Sequence, residues 1–293
     1  MEDRPPGTHV VPHHSDLGRW ELVIREPGPR LRTYIQSYQG YSERTTGSMR
    51  RLEPPSTTVV LIIGLGSALR VIDPRDQGLN DAAADHTSFV AGLKDSYVFT
   101  EASGTWQSGI QVNFTPLGAY QFLHLPMHLL ANRVIALDDL LGPGARRLVE
   151  RLRETPSWEA RFALLDAFIS TRLAEGRAPT AGIARAWHIL HKTNGCLGIG
   201  ALAAELGWSQ KHLITQFHEQ IGLPPKTLAR ILRFTHALRL LEQSKGVCWS
   251  EIALDCGYYD QAHFSRDFRA FTGSAPGDFL ARRLPDGRGI AGD

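Results

Sequence analysis

The chain has 293 residues, 42% of them hydrophobic and 21% charged, which fits two globular domains and excludes a wholly disordered polymer. No apolar run approaches the ~18 residues of a membrane span, and residues 1–15 contain no apolar signal segment, so neither a membrane partner nor secretion is expected. The three cysteines, Cys196, Cys248 and Cys256, are few and odd in number, as in a reduced cytoplasmic protein rather than a disulfide framework.

Residues 1–19 read as a mobile leader, with Pro5, Pro6, Gly7 and Pro12 and few apolar positions. Its His13–His14 pair is more simply solvated than metal-binding. Cys248 and Cys256 have no third or fourth thiol nearby in the sequence and no zinc-type spacing; no metal and no cofactor are expected. From Trp20 to Phe114 the pattern is strand-like. Val59–Ile63, Ala68–Ile72, Ser88–Leu93, Tyr97–Thr100 and Ser108–Phe114 are short runs separated by Gly, Asp and Ser, the spacing of an antiparallel barrel or sandwich. Helical periodicity follows over Ala119–Leu125, Leu137–Leu141, Gly144–Arg153 and Ser157–Leu173, with Ser157 as the N-cap of the last. That helix is either a dimer seam or packs on its own barrel. The Gly-Pro segment 175–180 divides residues 20–174 from residues 181–283, and 284–293 form a flexible tail.

The net charge of +2 is unevenly spread. Residues 181–283 carry 12 Lys and Arg against 8 Asp and Glu, whereas residues 1–180 carry 19 against 20. The same basic segment contains an internal repeat. Leu202-Ala203 aligns with Ile252-Ala253, Glu205–Trp208 with Asp255–Tyr258, and Ser209 with Asp260 after one inserted residue. Leu213, Phe217, Gly222, Pro225 and Leu228 then align with Phe264, Phe268, Gly273, Pro276 and Phe279. Each unit reads as a helix ending in a left-handed glycine, Gly207 or Gly257. A short turn follows, then a second helix capped by Ser209 or Asp260 and buried through its i, i+4 apolar pair. This is a helix-turn-helix, whose second helix enters a DNA major groove. Between the units Pro225–Ser244 reads as one amphipathic helix. At ~30 Å for twenty residues it nearly spans the ~34 Å between successive major-groove faces.

Residues 181–283 resemble the DNA-binding domain of AraC/XylS-type transcriptional regulators. The most specific stretch is Ile252–Pro276, with Ile-Ala, Gly-Tyr, Phe-Ser-Arg-Asp-Phe and Gly-Ser-Ala-Pro at the family's positions. The N-terminal part is similar, more loosely, to cupin-like sensory domains, notably at Leu61–Gly66 and Thr115–Ala119. The implied fold class is multidomain α+β: an N-terminal cupin-like antiparallel β-barrel with helices, then a C-terminal all-α double helix-turn-helix domain. The implied partner is double-stranded operator or promoter DNA. A small-molecule effector, a second copy of the chain and, for an activator, RNA polymerase are the further partners this reading allows.

The solvent face of the first recognition helix is Gln210, Lys211, Ile214, Thr215 and His218. The resemblance implies base-edge contacts at Lys211, Ile214 and Thr215. Lys reaches guanine acceptors, and the apolar groups meet a thymine methyl. On the second helix the matching face is Gln261, Ala262, His263, Arg266 and Arg269. Arg266 suits bidentate reading of guanine, or else a structural ion pair; Gln261 suits adenine or phosphate; Arg269 suits phosphate. Lys226, Arg230 and Arg233 either bind phosphate or form a solvated face. His86 is the single histidine of the strand region, without a His-x-His pair, so no metal-dependent enzyme is expected. Trp106, Tyr97, Phe99 and Phe114 either line a ligand pocket or belong to the core. The N-terminal half either binds an effector or only dimerises.

Overall fold

The computed structural model describes residues 8–15, 18–47, 49–75, 85–243, 248–282 and 290–291. Ten strands come first: β1 (Thr8–Ser15), β2 (Gly18–Arg25), β3 (Ile35–Thr45), β4 (Arg50–Glu53), β5 (Val59–Gly64), β6 (Leu69–Ile72), β7 (Asp85–His86), β8 (Ser88–Ala91), β9 (Val98–Ala102) and β10 (Trp106–Phe114). Then come α1 (Pro116–Leu123), a 3-10 turn (Met127–Leu129), β11 (Val134–Ala136), α2 (Leu137–Leu141), α3 (Pro143–Glu154) and α4 (Trp158–Glu175). The C-terminal part is helical: α5 (Ala181–Lys192), α6 (Ile199–Glu205), α7 (Gln210–Gln220), α8 (Pro225–Gln243), α9 (Trp249–Asp255), α10 (Gln261–Thr272) and α11 (Pro276–Ala281), with a last strand, β12 (Ile290–Ala291).

The strands form two antiparallel sheets, in the orders β1-β2-β3-β10-β5-β8-β11 and β12-β4-β9-β6-β7. The expected barrel is thus split into two sheets rather than hydrogen-bonded into a closed cylinder. All five short runs picked out by their apolar, β-branched residues are strands, displaced by at most two or three residues. Two expectations are corrected. Residues 8–15 of the leader pair with β2 along their whole length, from Thr8 opposite Arg25 to Ser15 opposite Gly18. β-Branched Thr8, Val10 and Val11 favour the strand, Pro12 is tolerated because β1 is a sheet edge, and the His13 ring stacks on Trp20 at 4.4 Å. In the tail, Ile290 and Ala291 pair with Leu52 and Arg51 of β4. The rest of the leader and tail lies outside the described residues.

The outer face of the larger sheet is covered by α4. Ser157 caps this helix, its Oγ accepting from the Ala160 amide at 3.2 Å. Phe162, Leu165, Ile169 and Leu173 are buried at i, i+3/i+4 spacing, so the apolar face of α4 lies on its own domain. A polar clasp fixes its rotation: Arg25 and the Tyr38 hydroxyl both donate to the Asp166 carboxylate, each at 2.6 Å. Burial, reinforced by Asp166, pushes the Tyr38 hydroxyl far above the usual phenol range, so it stays a donor. The Trp158 indole adds a bond to Glu21 at 3.1 Å. One continuous buried cluster runs from Val23 in β2 through Phe162 in α4 to Phe279 in α11, so the helical part shares its core with the sheets. No helix among the described residues is long and apolar enough to cross a membrane.

Removing the acceptor should strand two buried donors. Asp166→Ala is expected to cost about 2–4 kcal/mol, and Tyr38→Phe, which leaves the ion pair intact, about 1 kcal/mol. Denaturant unfolding of the two variants checks the order; equal costs would mean that α4 is held by its apolar face alone.

Candidate nucleic-acid interface

The two helix-turn-helix units are built as their repeated residues require. Gly207 and Gly257 take φ of +67° and +73°, the left-handed conformation that stops α6 and α9. Ser209 Oγ then accepts from the His212 amide at 3.2 Å, and Asp260 Oδ1 from the His263 amide at 2.6 Å, starting α7 and α10. Leu213 and Phe217, and Phe264 and Phe268, are buried against Leu202-Ala203 and Ile252-Ala253. The units share an aromatic–histidine contact as well: Trp208 meets His212 edge-on at 4.6 Å, and Tyr258 meets His263 at 5.2 Å.

Between them, α8 buries Leu228, Ala229, Ile231, Leu232, Phe234, Ala237 and Leu241, more than one face of a helix. Phe234 sits 5.3 Å from the Phe268 ring and 5.1 Å from Phe271. Arg230 adds a polar lock. Its Nε and Nη2 reach the Asp267 carboxylate of α10, the shortest contact 2.7 Å, and the guanidinium lies over Phe271. The hydrogen bonds it donates to Asp267 hold the Arg230 charge more firmly than in free arginine. Arg233 donates to the Gly195 carbonyl at 3.3 Å and lies over the Tyr258 ring. Of the three basic residues that open this helix, Lys226 alone is solvent-exposed, while Arg230 and Arg233 are part of the packing.

The anticipated reading faces are open. Gln210, Lys211, Ile214, Thr215 and His218 are exposed on α7, and Gln261, Ala262, Arg266 and Arg269 on α10. His263 differs, being half-buried against Tyr258. Arg266 has no salt bridge among the described residues, so of its two anticipated roles the structural ion pair is absent. Two exposed apolar residues were not anticipated, Tyr259 at 88% and Leu254 at 65% exposure, flanking the second turn. The inserted residue that lengthens this turn relative to the first is the sequence feature that marks Tyr259.

The turns after α7 and α10 meet the N-terminal domain at matching positions. Gly222, after α7, has φ of +100°, and a Cβ there would stand 2.8 Å from the Met127 carbonyl oxygen. Gly273, its repeat counterpart after α10, has φ of +73°, and a Cβ would stand 2.8 Å from the Tyr97 ring. Each glycine therefore lets the chain turn back after its helix while approaching a sheet-domain residue closely.

Residues 202–282 match the family model described as a helix-turn-helix domain. A 76-residue segment is 34% identical to the HTH-type transcriptional activator RhaR of Klebsiella pneumoniae, covering 26% of this chain and 27% of that one. The C-terminal third is a helix-turn-helix domain of the AraC type. A 57-residue segment is 39% identical to the HTH-type transcriptional regulator YbfI of Bacillus subtilis, described as uncharacterized, over 20% of each chain. The matches thus span about a quarter of the length of these relatives. A solved structure of ToxT from Vibrio cholerae aligns with 83% of this chain and 98% of its own at a TM-score of 0.48 and 11% identity; the assignment rests on the helix-turn-helix segment.

Within the AraC-type domain the Arg230–Asp267 pair sets the register of α10 on α8. Asp267→Ala is expected to cost about 3–5 kcal/mol by leaving a half-buried guanidinium uncompensated, and Arg230→Met with Asp267→Leu to recover most of it. Thermal melts of the single and double variants test this; a fully additive double would mean the two residues do not interact. A second expectation concerns Cys256, whose thiol burial pushes up to about 12, with Cys196 adding to the shift. Since the thiolate is the reactive form, Ellman titration of the native chain at pH 8 should count the exposed Cys196 and Cys248, and Cys256 only after denaturation. Three fast thiols in the native state would contradict its burial.

Proposed function

We propose that this chain is a sequence-specific transcription regulator that places α7 and α10 in successive major-groove faces of duplex DNA. The observation that carries this reading is the pair of capped helices with open polar faces, fixed to one rigid connecting helix. With 19 residues, α8 is ~28 Å long, close to the ~34 Å repeat of the groove. In this reading Lys211, Ile214 and Thr215 read base edges from α7, and Gln210 and His218 flank them. On α10, Arg266 reads guanine through its fork of donors. Gln261 and Ala262 sit at the groove-facing end, His263 supports them from its packed position, and Arg269 and Lys226 meet phosphates. Tyr259, beside the Asp260 cap, offers a phenol to the backbone at the same end.

The sheet domain acts in this reading as a non-enzymatic sensor that biases DNA binding. Its support is a cavity of about 490 Å³ between the two sheets, the size range of small-molecule sites. That volume favours an effector over the alternative that this half only dimerises. Trp106, Tyr97, Phe99 and Phe114 do not line it: Phe114 is in the core and Trp106 is 44% exposed.

Full-length protein should select a duplex from random DNA and lose affinity steeply with salt, because phosphate contacts release counterions. On the selected duplex, Arg266→Ala is expected to cost roughly 1–3 kcal/mol and to relax base choice at one position, whereas Lys226→Ala should weaken all duplexes alike and flatten the salt slope by about 1. Unchanged affinity and unchanged site preference for Arg266→Ala would remove α10 as a base reader.

A further inference from the structure

The cavity between the sheets has two chemically distinct sides, set by strand register. On the larger sheet, Gln39 pairs with Gln111, Gln111 with Ile62, and Ile62 with Phe89, so one row passes from amides to hydrocarbon as it crosses from β3 to β8. On the smaller sheet, Arg51 pairs with Thr100 and Thr100 with Val71, the same change from β4 to β6. Ile62, Val71, Phe89 and Val98 form a buried apolar cluster of their own on one side of the cavity, separate from the main core.

On the other side the Arg51 guanidinium is paired with the Glu43 carboxylate, and Glu43 is itself the register neighbour of Gln107. The Gln107 amide nitrogen donates to the Ala68 carbonyl at 3.2 Å. Its Oε1, on a residue only 5% exposed, is buried without a partner, and so is Arg51 Nε. Gln39, Gln111 and Thr100 line this same side of the cavity, so a group seated there meets amides and a hydroxyl that both donate and accept.

We infer that the cavity takes an uncharged amphiphile: a compact aliphatic or aromatic body bearing a head, such as a carboxamide or hydroxyl, that both donates and accepts. This rests on the reading of the sheet domain as a sensor. A carboxylate head is disfavoured because it would stand beside Glu43, which already balances Arg51. The lining as a whole is charge-balanced, with Glu43 and Glu53 against Arg51 and Lys94. A polyol is disfavoured because its hydroxyls would be buried unpaired against Phe89 and Val71.

Three probes separate these chemistries: 4-tert-butylbenzamide, its isosteric anion 4-tert-butylbenzoate, and glucose, each titrated calorimetrically into the full-length protein. The amide should bind roughly tenfold or more tightly than the benzoate, and glucose not at all over the same range. Gln39→Leu should weaken amide binding about tenfold, and Ala91→Phe, which fills the apolar side, should abolish it. The inference is overturned if the benzoate or glucose binds as tightly as the amide, if the amide does not bind, or if Ala91→Phe binds it unchanged. Should either variant fail to fold by circular dichroism, the amide-to-benzoate ratio of the unsubstituted protein decides alone. The same preparation is assayed on its selected duplex: DNA binding without amide binding sinks the ligand class and keeps the regulator, and amide binding without DNA binding does the reverse.

Discussion

The placement of both α7 and α10 depends on how α8 is buried. An amphipathic surface helix would fix one neighbour and leave its other side wet. Here Leu228, Ile231, Leu232, Phe234 and Leu241 are each at most 5% exposed, so the helix is gripped from several directions at once. Close-packed interiors do not deform gradually, and a helix held this way transmits the position of one recognition helix to the other. The bidentate Arg230–Asp267 contact adds direction to that packing, because two parallel bonds to a carboxylate fix rotation as well as distance. Phe234 wedged between Phe268 and Phe271 fixes depth. The spacing between α7 and α10 is therefore a property of the core, and the exposed faces are free to vary in chemistry without disturbing it.

What the sequence makes legible follows from how local each determinant is. Gly207, Ser209, Gly257 and Asp260 act within a few residues of themselves, and their duplication made both units readable. The same holds for Ser157 at the start of α4 and for the β-branched run of β5. Strands β1 to β4 carry weaker patterns because their two faces meet different things: Tyr38 faces α4 while Glu43 faces the cavity, so no clean alternation of apolar and polar survives. The leader looked mobile because its Pro and His content says nothing of the partner strand, β2, that orders it. Arg230 and Arg233 looked like a basic stripe beside Lys226; only the fold brings Asp267 and the Gly195 carbonyl to them, across 37 and 38 residues of sequence. The cavity was unreadable for the same reason, since its walls come from strands that meet only when two sheets face each other.

The internal repeat has a second consequence at Gly222 and Gly273. Equivalent turns in the two units meet the sheet domain, one at Met127 and the other at Tyr97. Neither residue touches the cavity, but each is one step from it. Val98, next to Tyr97, lines the cavity, and so do Ala91, Gly92 and Lys94 at the end of β8. That end is bonded to the segment after the Met127 turn: the Gly92 amide donates to the Arg133 carbonyl at 3.1 Å and the Asn132 amide to the Leu93 carbonyl at 2.9 Å. A ligand alters DNA binding only through unequal affinity for the arrangements that permit and oppose it. An occupant pressing on β8 and β9 would act on the seats of α7 and α10 together, whereas one confined to the Arg51–Glu43 side would act on β4, which pairs with β12 over two residues. In the proposed sensor the apolar side of the cavity would thus be the mechanically coupled side and the polar side the discriminating one. That division would let ligand identity be checked by hydrogen bonds at one wall and converted to movement by packing at the other.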